Sequence, residues 1–144
     1  MSLAPAARET AFGPARTFER LDDAGLRDEL RKFSGLIAYE TTFRKDAPAD
    51  LWLDLGRLHQ ASEVFLNGRS LGVRICPPHV FHPGRISTGK HTLRIEIATT
   101  LVGKLGDNGL DRAMPEDPPY LIGPVKLVSQ ECQASGTQRR AVWL

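Results

Sequence analysis

The sequence lacks several features that mark specialised classes of protein. Its 19 basic residues nearly balance 17 acidic ones, leaving a net charge of +2. Because the two signs are interspersed, no basic stripe indicates nucleic acid or an anionic lipid surface as a partner. No apolar run reaches the ~18–20 residues of a membrane-spanning helix. We therefore expect neither nucleic acid nor a membrane among the partners of this chain.

Cysteine is also scarce. Cys76 and Cys132 are the only two, they lie far apart, and no CxxC or HxxxH spacing accompanies them. A disulfide and a pair of free thiols both agree with this count, so the redox compartment is not fixed. The first residues lack the basic and apolar regions of a signal peptide and are compatible with an expression leader. Localisation stays undetermined; in a periplasmic or secreted parent protein, the signal would precede this segment.

Length and composition point to one small globular domain rich in turns. The 144 residues suffice for a single domain but not for a barrel of roughly 250 residues. Apolar residues make up 41% and charged residues 25%, which is ordinary for a packed core. Thirteen glycines and ten prolines separate short hydrophobic runs. This pattern favours an all-β fold.

Two-residue periodicity predicts the strands. Leucines alternate with polar or aromatic residues over 51–55, and apolar residues alternate with charged ones over 91–98. Asn67 and Gly68 lie between two apolar runs, which predicts a type I′ hairpin because both residues tolerate positive φ. The predicted strands are 35–43, 51–55, the two arms of the 63–73 hairpin, 91–98 and 123–128, with a short edge piece near 80–81 interrupted by prolines.

Six to eight short strands with frequent turns predict a β-sandwich over residues 21–128. At most one short helix is expected, near 21–30, where leucines follow two aspartates that can cap it. Residues 1–20 are interpreted as a linker or tail and residues 129–144 as a C-terminal tail. The long connection over 103–120 is of a length that is usually functional or mobile.

Motifs for catalysis are missing. The GxSxG pattern at 68–72 falls within the predicted hairpin and not on a strand-to-helix elbow, and the sequence has no phosphate-binding loop. A glycosidase needs two facing carboxylates about 5–10 Å apart, and no such pair stands out. The acidic residues of the predicted strands are interpreted as solvated, outward-facing positions; they are Glu40, Asp54, Glu63 and Glu96. We expect no catalysis by this chain.

Metal binding is weakly indicated. His79 and His82 are suited to zinc but lack an evident third ligand, so we interpret them as exposed loop histidines. Asp107, Asn108 and Asp111 offer oxygen ligands of the kind that calcium uses, but their spacing fits no defined calcium loop. We expect no metal and no cofactor, with a structural calcium ion as the alternative.

Four motifs follow one another between Phe33 and Val128. They are FSG at 33–35 with Tyr39 and the TF pair at 42–43, LWLDLG at 51–56 with ASEV at 61–64, the NG and LG pairs of the hairpin with two prolines at 77–78, and GKHTL at 89–93 with Ile95, Ile97 and Thr99. In this order they resemble the galactose-binding-like jelly-roll domain of family 2 type glycoside hydrolases and α-L-rhamnosidases. The chain departs from that pattern at 74–76, at Gly103, and at His91, where the family usually has asparagine.

This resemblance implies a jelly-roll sandwich that is a non-catalytic, carbohydrate-binding accessory domain of a larger glycoside hydrolase. Its implied partners are a carbohydrate ligand and the catalytic domain of the parent, whose active site it would wall or to which it would orient a glycan. The alternative is a structural interaction domain that packs on the catalytic domain without sugar affinity. A third interpretation, an independent small enzyme, requires a carboxylate pair or metal that the sequence does not show.

Sugar recognition by a sandwich combines an aromatic face with polar side chains that hydrogen-bond hydroxyl groups. Trp52 is the aromatic candidate, because it points outward if the leucines beside it point inward; packing at an interface is the alternative. Loops cluster at the ends of a sandwich and add polar candidates. These are Arg74, His79, His82, Asn108 and Tyr120. A flat apolar patch with Trp52, Phe65 or Trp143 would instead favour the structural alternative.

Overall fold

Nine strands form in the part of the chain that this computed structural model describes, which comprises residues 2–5, 12, 15–17, 30, 33–99, 118, 120–133 and 136–143. In chain order the strands are β1 Ser2–Pro5, β2 Gly35–Lys45, β3 Ala49–Asp54, β4 Ala61–Leu66, β5 Arg69–Arg74, β6 Val80–Ile86, β7 Gly89–Ala98, β8 Lys126–Gln133 and β9 Gly136–Trp143. Within the described residues, no helix is long and apolar enough to cross a bilayer.

Two antiparallel sheets carry these strands. One has five strands in the order β1-β2-β7-β4-β5, and the other has four in the order β6-β3-β8-β9. The expectation of an all-β sandwich is confirmed. Of the helix predicted near 21–30, only Leu30 lies within the described residues.

The core lies between the sheets and follows the predicted alternation. Leu53 of β3 and Ile97 of β7 are completely buried, and Leu51, Leu93 and Ile95 on the same inner faces are nearly so. Trp52, between two buried leucines, remains 41% exposed. The prediction that alternate residues of these two strands fill the core is confirmed.

The predicted hairpin forms between β4 and β5. Asn67 and Gly68 have φ values of 51° and 81°, the left-handed conformation that a type I′ turn needs. The Asn67 backbone amide donates to the Thr92 carbonyl at 2.8 Å, and its side-chain oxygen accepts from the Thr92 amide at 2.9 Å. The turn is therefore fastened to the neighbouring strand β7.

The hairpin is also fastened through a buried histidine. His91 Nε2 donates to the Ser87 carbonyl at 2.9 Å, so this nitrogen carries the proton and Nδ1 accepts from the Asn67 side-chain amide, also at 2.9 Å. The imidazole stacks on Phe43 with ring centroids 5.5 Å apart. His91 thus joins the β4–β5 turn to the β6–β7 turn.

The structure differs from the sequence-based expectations at both ends. Residues 129–144 were expected to form a tail, but β8 continues to Gln133 and pairs with β9 along its length. Residues 1–20 were expected to be a linker, but β1 pairs with the start of β2. Both β1 and β9 are edge strands, which need no continuous apolar face and give little hydrophobic signal.

A third difference concerns β6. Pro83 and Gly84 were expected to interrupt the chain, yet β6 runs through both of them. Because β6 is an edge strand, one of its sides pairs with no other strand of the sheet, and a proline, which has no backbone N–H, is tolerated there. A register shift opposite β3, between Leu51 and Leu53, absorbs the irregular backbone.

Candidate functional site

The sequence-predicted sugar contacts do not form one cluster in the structure. Trp52 and His82 meet on the outer face of the four-stranded sheet. Arg74 lies at the end of β5, and His79 is buried below the surface. Asn108 lies outside the described residues. Only the pair formed by Trp52 and His82 combines exposure with mutual contact.

The outer face of the four-stranded sheet presents an organised group of three side chains, which we call the Trp52 cluster: Trp52, His82 and Asp50. The rings of Trp52 and His82 stack with centroids 4.2 Å apart and an interplanar angle of 19°. His82 Nε2 lies 3.1 Å from Asp50 Oδ1. Because strand side chains alternate, Asp50 and Trp52 leave β3 on the same outward side. The carboxylate therefore orients the imidazole that supports the indole.

Sequence reasoning missed Asp50. Asp50 lies just before the strand predicted over 51–55; because β3 begins at Ala49, Asp50 shares the outward side of Trp52, two residues later. The contact with His82 could not be predicted, since β6 was expected to break at its proline. Pairing of β6 with β3 brings His82 to this face.

One face of the Trp52 ring is occupied by the His82 imidazole, so no more than one indole face remains for a ligand. On the other side of β3, Val128 of β8 is in register with Trp52 and is half-buried. A bulky indole therefore stands next to a short aliphatic side chain. This difference in height suits a flat, partly apolar ligand.

Arg74 covers the edge of the sandwich. Its guanidinium carbon lies 5.5 Å from the centroid of the buried Phe81 ring, within the range of a cation–π contact. One guanidinium nitrogen donates to the Val73 carbonyl at 3.3 Å. Arg74 is exposed, but these contacts tie it to the seam between the two sheets.

His79 corrects the expectation of an exposed loop histidine. Its side chain is only 1% exposed, and its Nδ1 lies 2.7 Å from the hydroxyl of Ser62, which is also buried. A sugar cannot reach this imidazole without opening the sandwich edge. We therefore leave His79 out of the candidate site.

Tyr120 packs on the core, half-buried, near the phenol of Tyr39. Burial raises the pKa of Tyr39 to about 12; a hydrogen bond with the Leu121 backbone opposes the rise, and Tyr120 adds to it. Tyr120 thus lies near the buried Tyr39 and helps to close the core.

The LWLDLG motif has a structural role in this fold. The Asp54 carboxylate accepts the backbone N–H of Gly56 at 2.8 Å, which turns the chain directly after β3. Gly56 has φ of +68°, and a Cβ there would lie 2.6 Å from the Pro124 carbonyl oxygen. Only glycine lets the two backbones approach this closely.

The two histidines that were considered as zinc ligands are not brought together, since His79 is buried and His82 stacks on Trp52. No cluster of three or more histidine, cysteine or acidic side chains that could hold a metal occurs among the residues whose positions are described. Asp107, Asn108 and Asp111, the oxygen ligands considered for the alternative of a structural calcium ion, lie outside those residues. Cys76 is an exposed free thiol.

Comparison with known proteins connects this sandwich to enzymes that act on sugars. No protein-family model and no curated protein matches the chain. Among solved structures, a rhamnosidase from Novosphingobium sp. PP1Y is 31% identical over 67% of the chain, with a TM-score of 0.54. The chain resembles a domain of large glycoside hydrolases. The resemblance expected from the four motifs is thereby confirmed.

A second glycoside hydrolase has a similar fold. A GH2 β-galacturonidase from Eisenbergiella tayi, bound to glycerol, matches 66% of the chain with a TM-score of 0.50 and 13% identity, which supports the fold alone. The chain corresponds to 11% of the length of the rhamnosidase and 17% of that of the galacturonidase. The similarity is therefore to one part of each enzyme.

Proposed function

We propose that this chain is a non-catalytic accessory domain of a large glycoside hydrolase and that it binds carbohydrate on the outer face of its four-stranded sheet. One observation carries the proposal: an exposed tryptophan is stacked on His82, and Asp50 holds that imidazole. The domain would orient a glycan or form part of the wall of the parent active site. It would neither make nor break bonds.

The chemistry of the Trp52 cluster suits a pyranose. An indole face packs against the C–H face of a sugar ring, while carboxylate and imidazole groups hydrogen-bond to hydroxyl groups. Because His82 and Asp50 restrain each other, ligand binding would cost little side-chain entropy. Val128, beside Trp52, offers a shorter aliphatic surface next to the indole.

Two observations support a non-catalytic role. The chain corresponds to 11% and 17% of the two enzymes that it resembles, which is a small share of either one. Asp50 is paired with His82, and Asp54 on the same strand accepts the backbone N–H of Gly56. Neither carboxylate is arranged like the facing pair of a glycosidase.

Calorimetric titration of the 144-residue chain with neutral and acidic monosaccharides and short glycans tests sugar binding. Trp52→Ala should weaken binding at least about tenfold, equivalent to ~1.4 kcal/mol, because the stacking surface is lost. Ile75→Ala removes another exposed apolar side chain, 78% exposed and outside the cluster, and should leave the affinity unchanged. Equal affinity of wild type and Trp52→Ala would contradict the proposed site.

The second candidate function is structural, namely packing against the parent catalytic domain without sugar affinity. Val73 and Ile75 favour it, because they are 52% and 78% exposed near the sandwich edge. Exposed apolar side chains of this kind are common at interaction surfaces. If the wild-type chain bound none of the sugars, the structural function would replace the first candidate.

A further inference from the structure

The connection between β5 and β6, residues 75–79, carries the chain from one sheet to the other. Two contacts hold its last residue. The His79 carbonyl accepts the backbone N–H of Leu55 at 3.1 Å, and the His79 imidazole bonds to the hydroxyl of Ser62 on β4 at 2.7 Å. His79 therefore fastens the connection to both sheets, through Leu55 directly after β3 and through Ser62 of β4.

The His79 imidazole is incompletely satisfied. Its side chain is 1% exposed, Nδ1 has Ser62 as a partner, and Nε2 is buried with no hydrogen-bond partner among the described residues. A protonated ring has two N–H donors, whichever tautomer the neutral ring adopts. Protonation would thus leave a charged donor buried and unpaired, which is costly.

The charged groups around the ring make protonation still less favourable. Arg74 comes from β5 and His59 from the segment between β3 and β4, and both are basic. Burial lowers the pKa of His79, His59 lowers it further, and Arg74 adds a smaller effect in the same direction. The Leu58 carbonyl opposes these effects but forms no hydrogen bond with Nε2. Ser62 of β4, bonded to Nδ1, is neutral.

We propose that protonation of His79 releases residues 75–79 from the sandwich edge, so that the fold contains an acid-sensitive switch. Above the ordinary histidine pKa of ~6.5, the ring is neutral in both folded and unfolded chains and the connection stays closed. Below that pH, His79 takes up a proton readily in the open form but not in the closed form, where its pKa is lower. The open form is therefore favoured progressively as the pH falls.

Amide hydrogen exchange at Leu55 measures this opening, because its N–H is bonded to the His79 carbonyl. Between about pH 7.5 and pH 5, the Leu55 protection factor should fall at least about tenfold, the equivalent of one pKa unit. The Asn67 amide, bonded to Thr92, should keep its protection. An equal loss at Asn67 would show global unfolding and overturn the proposal, as would constant protection at Leu55.

Two variants assign the effect to His79. His79→Gln keeps a polar side chain but cannot take up a proton, and its Leu55 protection should not change with pH. His82→Gln removes an exposed histidine instead and should retain the wild-type response. The same response in His79→Gln as in wild type would refute the switch. If His79→Gln does not fold, an NMR titration of wild-type His79 decides, and a pKa at or above ~6.5 refutes it.

Discussion

At the scale of single residues, Gly56 shows how a motif can specify geometry without contributing chemistry. Its N–H is bound by Asp54, and its Cα faces the backbone of residues 123–124. Arg57 donates its N–H to the Gly123 carbonyl at 3.1 Å, and the Ile122 N–H donates to the Arg57 carbonyl at 3.2 Å. A missing side chain thus allows two segments distant in sequence to pair.

Replacing Gly56 by alanine should therefore be more damaging than an ordinary glycine replacement. Gly84→Ala is the matched control, since Gly84 has a similar φ of +78° but open space where a Cβ would lie. The control should lose about 1–2 kcal/mol of unfolding free energy from backbone strain alone. Gly56→Ala should lose at least ~1 kcal/mol more, because residues 123–124 must move.

Urea denaturation of the two variants and the wild type measures both losses. Equal destabilisation by the two alanines would mean that the close approach to residues 123–124 contributes nothing. The comparison separates conformational strain from steric overlap, since both positions have left-handed backbone.

At the scale of elements, one side chain fastens the turn of the β4–β5 hairpin to β7, in addition to the backbone pairing of β4 with β7. The Asn67 side chain accepts from the Thr92 amide and donates to His91, while its backbone provides the positive φ. The Asn-Gly pair determines the type of turn, whereas these side-chain bonds fasten the turn to β7. Turn preference and tertiary anchoring thus coincide in one residue.

Asn67→Gly separates the two roles, because glycine keeps the turn conformation and deletes both side-chain bonds. We expect a loss of about 1–3 kcal/mol of unfolding free energy, since His91 Nδ1 and the Thr92 amide lose their partners. Ser70→Ala, which deletes two exposed bonds, one to the Glu63 carboxylate and one from the Gly72 N–H, is the control and should cost less than ~1 kcal/mol. Thermal melts of both variants give the comparison, and an unchanged Asn67→Gly would exclude the anchoring role.

The sequence predicted elements best where one face of a strand is buried. The alternation in β3 and β7, the Asn-Gly turn and the outward position of Trp52 all follow from local pattern. Strands β1 and β9 were missed because edge strands need no continuous apolar pattern, and β6 was predicted only as a short edge piece because its tolerance of proline was not foreseen. The site was predictable only in part: the contact of His82 with Trp52 and Asp50 depends on the β3–β6 register, and the burial of His79 depends on how the two sheets meet.

At the scale of the whole molecule, the core contains an ionisable group, Tyr39, whose charged form is disfavoured by burial. Tyr39 lies on the inner face of β2, and burial raises its pKa to about 12, against 10.0 for a free phenol. Because the folded chain retains this proton at a pH where the unfolded chain loses it, stability falls as the pH rises through that interval.

We expect the unfolding free energy of the wild type to decrease between pH 10 and 12 with a slope approaching ~1.4 kcal/mol per pH unit from this group. Tyr39→Phe cannot ionise and should show a shallower decrease, although its lost hydrogen bond lowers stability at neutral pH by about 1 kcal/mol. Denaturation at several alkaline pH values gives both slopes. Parallel slopes would show that Tyr39 ionises as readily in the folded chain as in the unfolded one.

The irregular edge of the five-stranded sheet bears on solubility. Strand β5 has an open side and exposed Val73, which together could template the addition of a strand from another molecule. The register shift between Val64 and Phe65 interrupts the regular spacing of its hydrogen-bonding groups. Arginines occupy both ends of the strand, at 69 and 74. Like charges and a broken repeat therefore oppose edge-to-edge aggregation at β5.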